Sequence, residues 1–232
     1  MLFALTSPYP SLALPDFNKW YDERHAPSRA ACPGVLAVSR YLLDDDDARN
    51  SKRVGHWTWL AVYELEEEAN LHTEEYKNAR KNDGDDESKM FDFLSRRVYR
   101  LIEDQRSADY STAVSSGNSR LMVVVGSKAG DAVGSTSQDL LERYGAASGA
   151  DRPRDEGWLR SSFWRLSAAT DPRNGQEQTD TPDLLALHEW VDSDTTRESD
   201  AVQKLLAPPA KGTAGDSAQV VEKAVLRLWK QF

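Results

Sequence analysis

The stretch LAVYEL at Leu60–Leu65 and the stretch LALHEW at Leu185–Trp190 match each other within this one chain. A glycine precedes each of them, Gly34 in the first case and Gly157 in the second. Each glycine is followed seven residues later by an aromatic residue. The two matches occur in the same order, which indicates that the chain contains an internal repeat.

A third match lies near the end of each half, where VYRLI at Val98–Ile102 corresponds to VLRLW at Val225–Trp229. The offset between matching residues grows smoothly, from 157 − 34 = 123 through 185 − 60 = 125 to 225 − 98 = 127. We therefore predict a folding unit of roughly 105 residues that is present twice. The expected boundaries are residues 1–106 for the first unit, 107–118 for a linker rich in Ser, Ala and Gly, and 119–232 for a divergent second unit.

Both units have the same predicted order of elements: strand, helix, strand, strand, helix, strand. In the first unit the predicted elements are Leu2–Ser7, Pro15–Ala31, Val35–Leu43, His56–Leu65, the helical segments Glu67–Lys81 and Glu87–Arg96, and Arg97–Asp104. In the second they are Arg120–Gly126, Ser135–Ser148, Gly157–Ser167, Asp183–Val191, Asp194–Leu206 and Gln219–Trp229. This βαββαβ order is that of the ferredoxin-like unit, a four-stranded antiparallel sheet with both helices on one face. We predict an α+β fold in which the sheets of two tandem ferredoxin-like units face each other as an α+β barrel.

Composition excludes several functional classes. The 232 residues carry a formal net charge of −9, whereas nucleic-acid-binding proteins concentrate Lys and Arg. No apolar run approaches the ~20 residues of a membrane span, and the start of the chain lacks the charged segment of a signal peptide. Cys32 is the one cysteine, so no intrachain disulfide is expected. We predict a cytoplasmic protein that binds a small molecule, with no nucleic-acid or membrane partner, and self-association through sheet faces or edges stays open.

Alternation along the strands assigns their side chains to two faces. We predict that Trp57, Trp59 and Tyr63 face the opposite sheet, and that Leu60 and Val62 face the helices. The same pattern places Tyr41, Arg160, Trp164 and His188 between the sheets. A cavity lined by aromatic side chains and isolated polar groups is typical of a small-molecule site, although the same aromatics could simply fill a core between the sheets.

The sharpest local motif lies on the first helix and the strand that follows it. Its residues are Phe17, Trp20, Tyr21, His25, Pro27, Pro33, Gly34, Arg40 and Tyr41. Over residues 16–41 the chain resembles the EthD-like branch of the dimeric α+β barrel superfamily, which carries a Trp-Tyr-x-x-x-His-x-Pro helix followed by a Pro-Gly turn. The resemblance implies a barrel of two facing sheets, both of which come from one polypeptide here. The second half departs from the motif because Tyr144 takes the place of His25.

His25 is the strongest candidate for chemistry. Pro27 cannot donate a hydrogen bond to the carbonyl of Glu23, so we expect the helix to bend or end beside His25. A histidine held at such a site could act as a general acid or base near neutral pH. It could equally hydrogen-bond the free carbonyls without any chemistry, or orient a ligand.

The remaining candidate site residues follow from the repeat and from the predicted faces. His188 takes the position of Tyr63 in the alignment, so each half has one histidine and one tyrosine at these two positions. We predict His25, Tyr63 and His188 as catalytic residues. The predicted substrate-binding residues are Trp20, Tyr41, Trp57, Trp59, Arg160 and Trp164. Arg40 is expected on the helix-facing side of its strand.

Cofactor motifs are absent from the sequence. It contains no HxxxH, HxH or CxxC pair and neither the Rossmann nor the P-loop glycine pattern, so we predict no metal and no organic cofactor. The favoured function is a cofactor-free enzyme that acts on an aromatic or polyketide-like molecule by cyclisation, dehydration, isomerisation or decarboxylation. The alternatives are a cofactor-independent oxygenase of quinol-like substrates and a non-enzymatic small-molecule-binding or stress protein.

Overall fold

The computed structural model describes residues 1–44, 53, 55–117, 119–128, 157–171, 175–206 and 219–232. Within these ranges the strands are Leu2–Pro8 (β1), Val35–Leu43 (β2), Trp59–Leu65 (β3), Phe91–Arg106 (β4), Arg120–Lys128 (β5), Trp158–Thr170 (β6), Leu184–Val191 (β7) and Gln219–Gln231 (β8). The helices are Leu14–Trp20 (α1), Ala26–Ala30 (α2), Glu74–Met90 (α3), Tyr110–Ser115 (α4), Asp194–Glu198 (α5) and Asp200–Leu206 (α6). A π-helical turn, Tyr21–His25, joins α1 to α2, and a 3₁₀ turn, Glu68–His72, precedes α3.

The strands close into one antiparallel barrel with the order β1-β3-β2-β8-β5-β7-β6-β4. Each half of the chain supplies four neighbouring strands, β4-β1-β3-β2 from the first and β8-β5-β7-β6 from the second. The sheets join where β2 pairs with β8 and where β4 pairs with β6. The predicted α+β barrel of two facing sheets is confirmed, and each strand is paired on both sides within the chain.

The two halves use the same strand register. Tyr63 lies opposite Val38 in the first sheet, and His188 lies opposite Ser161 in the second, so the partners differ by the same 123 residues as the two aligned glycines. Each of these glycines adopts a positive φ, +77° for Gly34 and +84° for Gly157, a conformation that side chains other than glycine rarely adopt. Each glycine carbonyl also accepts a backbone hydrogen bond from a matching position, the N–H of Glu66 and the N–H of Val191.

The core consists of three clusters, and their membership corrects the predicted faces of β3 and β7. Leu60 and Val62 lie inside the barrel, whereas Trp59 and Tyr63 pack against the helices of the first half. Leu187 likewise lies inside the barrel. The prediction was wrong because a closed barrel with outer helices buries both faces of a strand. Alternation then separates the two faces without showing which one is inside.

Several predicted elements differ from the structure. The predicted strand His56–Leu65 begins at Trp59, and α4 lies within the predicted linker 107–118. The predicted helix Glu87–Arg96 ends at Met90, and β4 begins at Phe91 because the following residues pair with β1. The predicted break at Asn82–Gly84 is absent, since α3 continues through it. The predicted helix Ser135–Ser148 and Tyr144 lie outside the described residues. None of the helices described here is long and apolar enough to cross a membrane.

Candidate functional site

The helix that carries His25 changes geometry at that residue. Between α1 and α2, the N–H of Ala26 donates to the carbonyl of Tyr21, an i→i+5 bond that widens the helix by one residue. Pro27 follows and has no N–H to donate to Glu23, as the sequence predicted. The wider turn directs the His25 side chain toward the sheet, where it is 5% exposed.

Aromatic rings surround the His25 imidazole. The ring centroids of Trp20 and Tyr21 each lie 4.7 Å from that of His25, and the Phe91 ring meets it edge-on at 6.4 Å. Trp20 and Tyr21 come from the same helix and Phe91 begins β4. The imidazole is therefore held in a fixed orientation by packing from two elements.

Two tyrosine hydroxyls meet beside this histidine. The Tyr21 and Tyr63 hydroxyl oxygens are 3.1 Å apart and form a buried hydrogen bond. Burial, with a smaller contribution from the neighbouring Tyr21, raises the pKa of Tyr63 well above its usual value. Tyr63 therefore remains a neutral phenol that donates or accepts a hydrogen bond, and it does not act as a phenolate base near neutral pH.

A pocket lies between the first sheet and the helices, and His25, Tyr21 and Tyr63 all line it. The space between atoms there is about 340 Å³ when the open solvent at the mouth is included, and the cavity within it is about 20 Å³. The other lining residues are Leu2, Ala4 and Thr6 of β1, Arg29 of α2, Tyr76 and Arg80 of α3, and Phe91, Leu94 and Arg96 of β4.

The pocket brings together two of the predicted catalytic residues, His25 and Tyr63. Trp20 contacts His25 and so supports the site from one side. Trp59 lies on the same side of the sheet but is held by Arg40, whose guanidinium carbon is 3.8 Å from the centroid of the Trp59 ring. Arg40 also donates to Asp22 at 2.7 Å, which confirms its predicted helix-facing position.

His188 belongs to a separate environment in the second half. Its Nδ1 is 2.8 Å from the Ser161 hydroxyl, and its ring contacts Phe163 and Trp190 on the outer side of the second sheet. This position corrects its predicted place between the sheets. Complete burial lowers the pKa of His188 to about 4, so the imidazole is neutral at physiological pH.

Tyr41 and Arg160 face the barrel interior as predicted, but they belong to a polar network at one end of it. Arg160 donates to Glu64 at 2.6 Å and to Asp104 at 2.7 Å, and the neighbouring carboxylates raise its pKa against the opposing effect of burial. The Tyr41 hydroxyl donates to Glu189 at 3.3 Å. These partners satisfy the arginine and the phenol internally.

Trp57 and Trp164 also face the barrel interior, within its hydrophobic cluster. The Trp57 indole N–H donates to Glu222 at 3.1 Å, and Glu222 also accepts from Arg97. The Trp164 indole donates to Ser162 at 2.8 Å. Both tryptophans pack the space between the sheets, which favours the filled-core alternative there.

Sequence reasoning left several pocket residues out of the predicted site. Arg29 lies four residues after His25 and Tyr21 four residues before it, a spacing that places all three on one helix face and could have identified them. Arg96 could not be found in this way because it was assigned to a helix. Among the residues with a described position, no group of His, Cys, Asp and Glu side chains could hold a metal ion.

Comparison with known proteins shows the fold. No protein-family model and no curated protein matches the chain. Among solved structures, an anthrone oxidase-like protein superposes with a TM-score of 0.53 at 12% identity, covering 100% of this chain and 91% of that chain. The encapsulated DyP-type peroxidase from Mycobacterium smegmatis gives 0.54 at 7% identity, with 98% and 91% covered. A dye-decolorizing protein from V. cholerae gives 0.52 at 9% identity, with 98% and 92% covered. These similarities are at the level of the whole barrel.

Proposed function

We propose that this protein is a cofactor-free enzyme that acts on a small oxygenated aromatic molecule bound in the His25 pocket. The observation that carries the proposal is the convergence of His25 and the Tyr21–Tyr63 hydroxyl pair on one partly enclosed space. Apolar side chains from β1 and β4 form another part of its wall, and three arginines line it as well. Such a combination of apolar lining and a few polar groups is common in sites for small molecules.

In this proposal His25 moves the proton. The imidazole accepts a proton from a carbon next to a carbonyl group, or from a phenol, and returns it at another position. The Tyr63 phenol, kept neutral by burial, donates a hydrogen bond to the oxygen on which negative charge develops. Cyclisation, dehydration, isomerisation and decarboxylation of an aromatic or polyketide-like substrate are all reactions that a proton-transfer group and a hydrogen-bond donor to a developing oxyanion accelerate.

A second candidate is cofactor-independent oxygenation, and the whole-chain likeness to an anthrone oxidase-like protein favours it. Here His25 deprotonates an anthrone or quinol, and the resulting carbanion or phenolate transfers electrons to dioxygen. For an anthrone, the peroxide formed at the central carbon loses water to give the quinone. Strict dependence of turnover on oxygen separates this reaction from the first proposal.

A third candidate is a non-enzymatic binder or stress protein, favoured by the small enclosed space of the pocket. In that case His25 orients a ligand and no product is formed.

We also propose an evolutionary origin for the chain. Residues 16–41 support membership of the EthD-like branch, and the shared strand register supports duplication of an ancestral unit with a linker at 107–118. A cytoplasmic location is part of the same proposal.

The test is turnover of a panel of hydroxyanthrones, quinols and polyketide-like aromatics, followed by mass spectrometry and oxygen uptake. His25→Ala should reduce turnover by about 10² to 10⁴-fold, the range of a general acid or base. His72→Ala, at an exposed histidine, is the matched control and should leave turnover unchanged. Activity should survive exhaustive chelation. Normal turnover in His25→Ala, or an equal loss in His188→Gln, would refute the assignment of the chemistry to this pocket.

A further inference from the structure

Positively charged side chains line the His25 pocket in a chain whose formal net charge is −9. Arg29, Arg80 and Arg96 come from three different elements and all reach it. No carboxylate is found among the described residues of its lining. Arg29 and Arg80 have further interactions of their own, so the case for an anion in the pocket depends on Arg96.

Arg96 is the most informative of the three arginines. It lies on β4 opposite Ala4 of β1, whose small side chain leaves space above the sheet. No described residue forms a hydrogen bond or an ion pair with Arg96. The next residue, Arg97, points into the barrel and is bound by Glu222. A partly buried guanidinium without an internal counterion is a site for an external carboxylate, which it can bind through two parallel hydrogen bonds.

The polar groups of the pocket are ordered along the helix. Tyr21, His25 and Arg29 follow one another at intervals of four residues, which corresponds to about 12 Å from the first to the last at the rise of a helix. The three side chains therefore leave the helix from successive turns of one face. The rings of Phe91 and Tyr76 form part of the pocket wall, and flat rings favour an aromatic ligand.

We propose that the ligand of this pocket is a small aromatic carboxylate. Its carboxylate binds Arg96 at the arginine-lined part, and its ring carries an oxygen toward the Tyr21–Tyr63 hydroxyl pair. The location of the site rests on the proposed function, whereas the anionic class of the ligand rests on Arg96. The two can therefore fail separately.

The experiment compares the affinity of 4-hydroxybenzoate with that of 4-hydroxybenzamide, a neutral molecule of the same shape, by calorimetry. Wild-type protein should bind the carboxylate about tenfold more tightly or better, the advantage of a charge-assisted hydrogen bond. Arg96→Gln should abolish this preference while retaining the affinity for the amide, which also reports that the pocket is folded. Arg96→Lys should retain part of it. Arg100→Gln, on the same strand but outside the pocket lining, is the matched control and should retain all of it.

Equal affinity for the two probes in wild-type protein, no binding of either, or an unchanged preference in Arg96→Gln overturns the inference. Binding of inorganic phosphate as tightly as 4-hydroxybenzoate overturns the aromatic part of it. A carboxylate preference together with normal turnover in His25→Ala would support this inference and refute the proposed chemistry. Loss of turnover in His25→Ala without a carboxylate preference would support the proposed chemistry and refute this inference.

Discussion

The barrel interior and the helix-facing side of the first sheet both bury aromatic and arginine side chains, but they use them differently. Inside the barrel, Arg97 is bound by Glu222 and Arg160 by Glu64 and Asp104. On the helix-facing side, Arg40 is likewise bound by Asp22, whereas Arg96, which lines the pocket, forms no ion pair with a described residue. Many buried tryptophan and arginine side chains therefore do not by themselves identify a ligand-binding site. Polar side chains that converge on a pocket are a better indicator of such a site.

The largest effect is expected from breaking the interior pair. Glu222→Gln keeps the shape of the side chain but leaves the Arg97 charge buried without a counterion, which should lower the free energy of unfolding by about 3–5 kcal/mol. Both side chains are fully buried. Urea denaturation measures the loss. Glu68→Gln, which breaks the largely exposed pair with Arg100, is the control and should cost about 0–1 kcal/mol. Similar losses of unfolding free energy in Glu222→Gln and Glu68→Gln would contradict the expected difference between a buried and an exposed ion pair.

The second effect concerns the buried histidine of the second half. Its folded-state pKa of about 4 lies below the ordinary 6.5, so the unfolded state takes up a proton first as the pH falls. The contribution of His188 to the free energy of unfolding is therefore fully present above pH 6.5 and is lost as the pH falls from 6.5 to 4. The expected loss between pH 7.5 and pH 5.0 is about 2 kcal/mol. His188→Gln should remove this part of the pH dependence in urea unfolding. If the free energy of unfolding of the variant depended on pH as steeply as that of the wild type, His188 would not be the cause of the acid sensitivity.

The sequence was sufficient to predict the barrel and the order of its strands along the chain, because the spacing of apolar and turn residues predicts strands without knowledge of their contacts. His25 became a candidate because a proline two residues later restricts the helix, and it lines the pocket. The other residues of the pocket were mostly not predicted. Alternation along β3 could not show whether Leu60 or Trp59 faces the barrel interior, because both faces of the strand are buried. Arg96 was assigned to a helix, although pairing with β1 makes it part of a strand. Both errors arise from tertiary contacts that local propensity does not contain.

A smaller effect is expected from the hydroxyl pair of the pocket. Tyr63→Phe removes one partner of the Tyr21–Tyr63 hydrogen bond and should lower the free energy of unfolding by about 0.5–1.5 kcal/mol. Tyr9→Phe, at an exposed tyrosine, should change it by less than about 0.5 kcal/mol. Turnover measured on the same variants sharpens the comparison. A loss of turnover with little loss of stability in Tyr63→Phe would support a role in orienting the substrate oxygen, and wild-type turnover would exclude that role.

The smallest effect on stability is expected at Pro27. The bond that closes the π-helical turn runs from the N–H of Ala26 to the carbonyl of Tyr21 and does not involve Pro27. Packing of the His25 ring between Trp20, Tyr21 and Phe91 also favours the turn. Pro27→Ala increases the conformational entropy of the unfolded chain, which lowers the free energy of unfolding by about 0.4–1 kcal/mol. The new N–H can form a helical hydrogen bond, which raises the free energy of unfolding by about 0.5–1.5 kcal/mol. We therefore expect the free energy of unfolding to stay within about 0.5 kcal/mol of wild type, with unchanged 4-hydroxybenzoate affinity. A loss of affinity at unchanged stability would show that the proline, and not ring packing, positions His25.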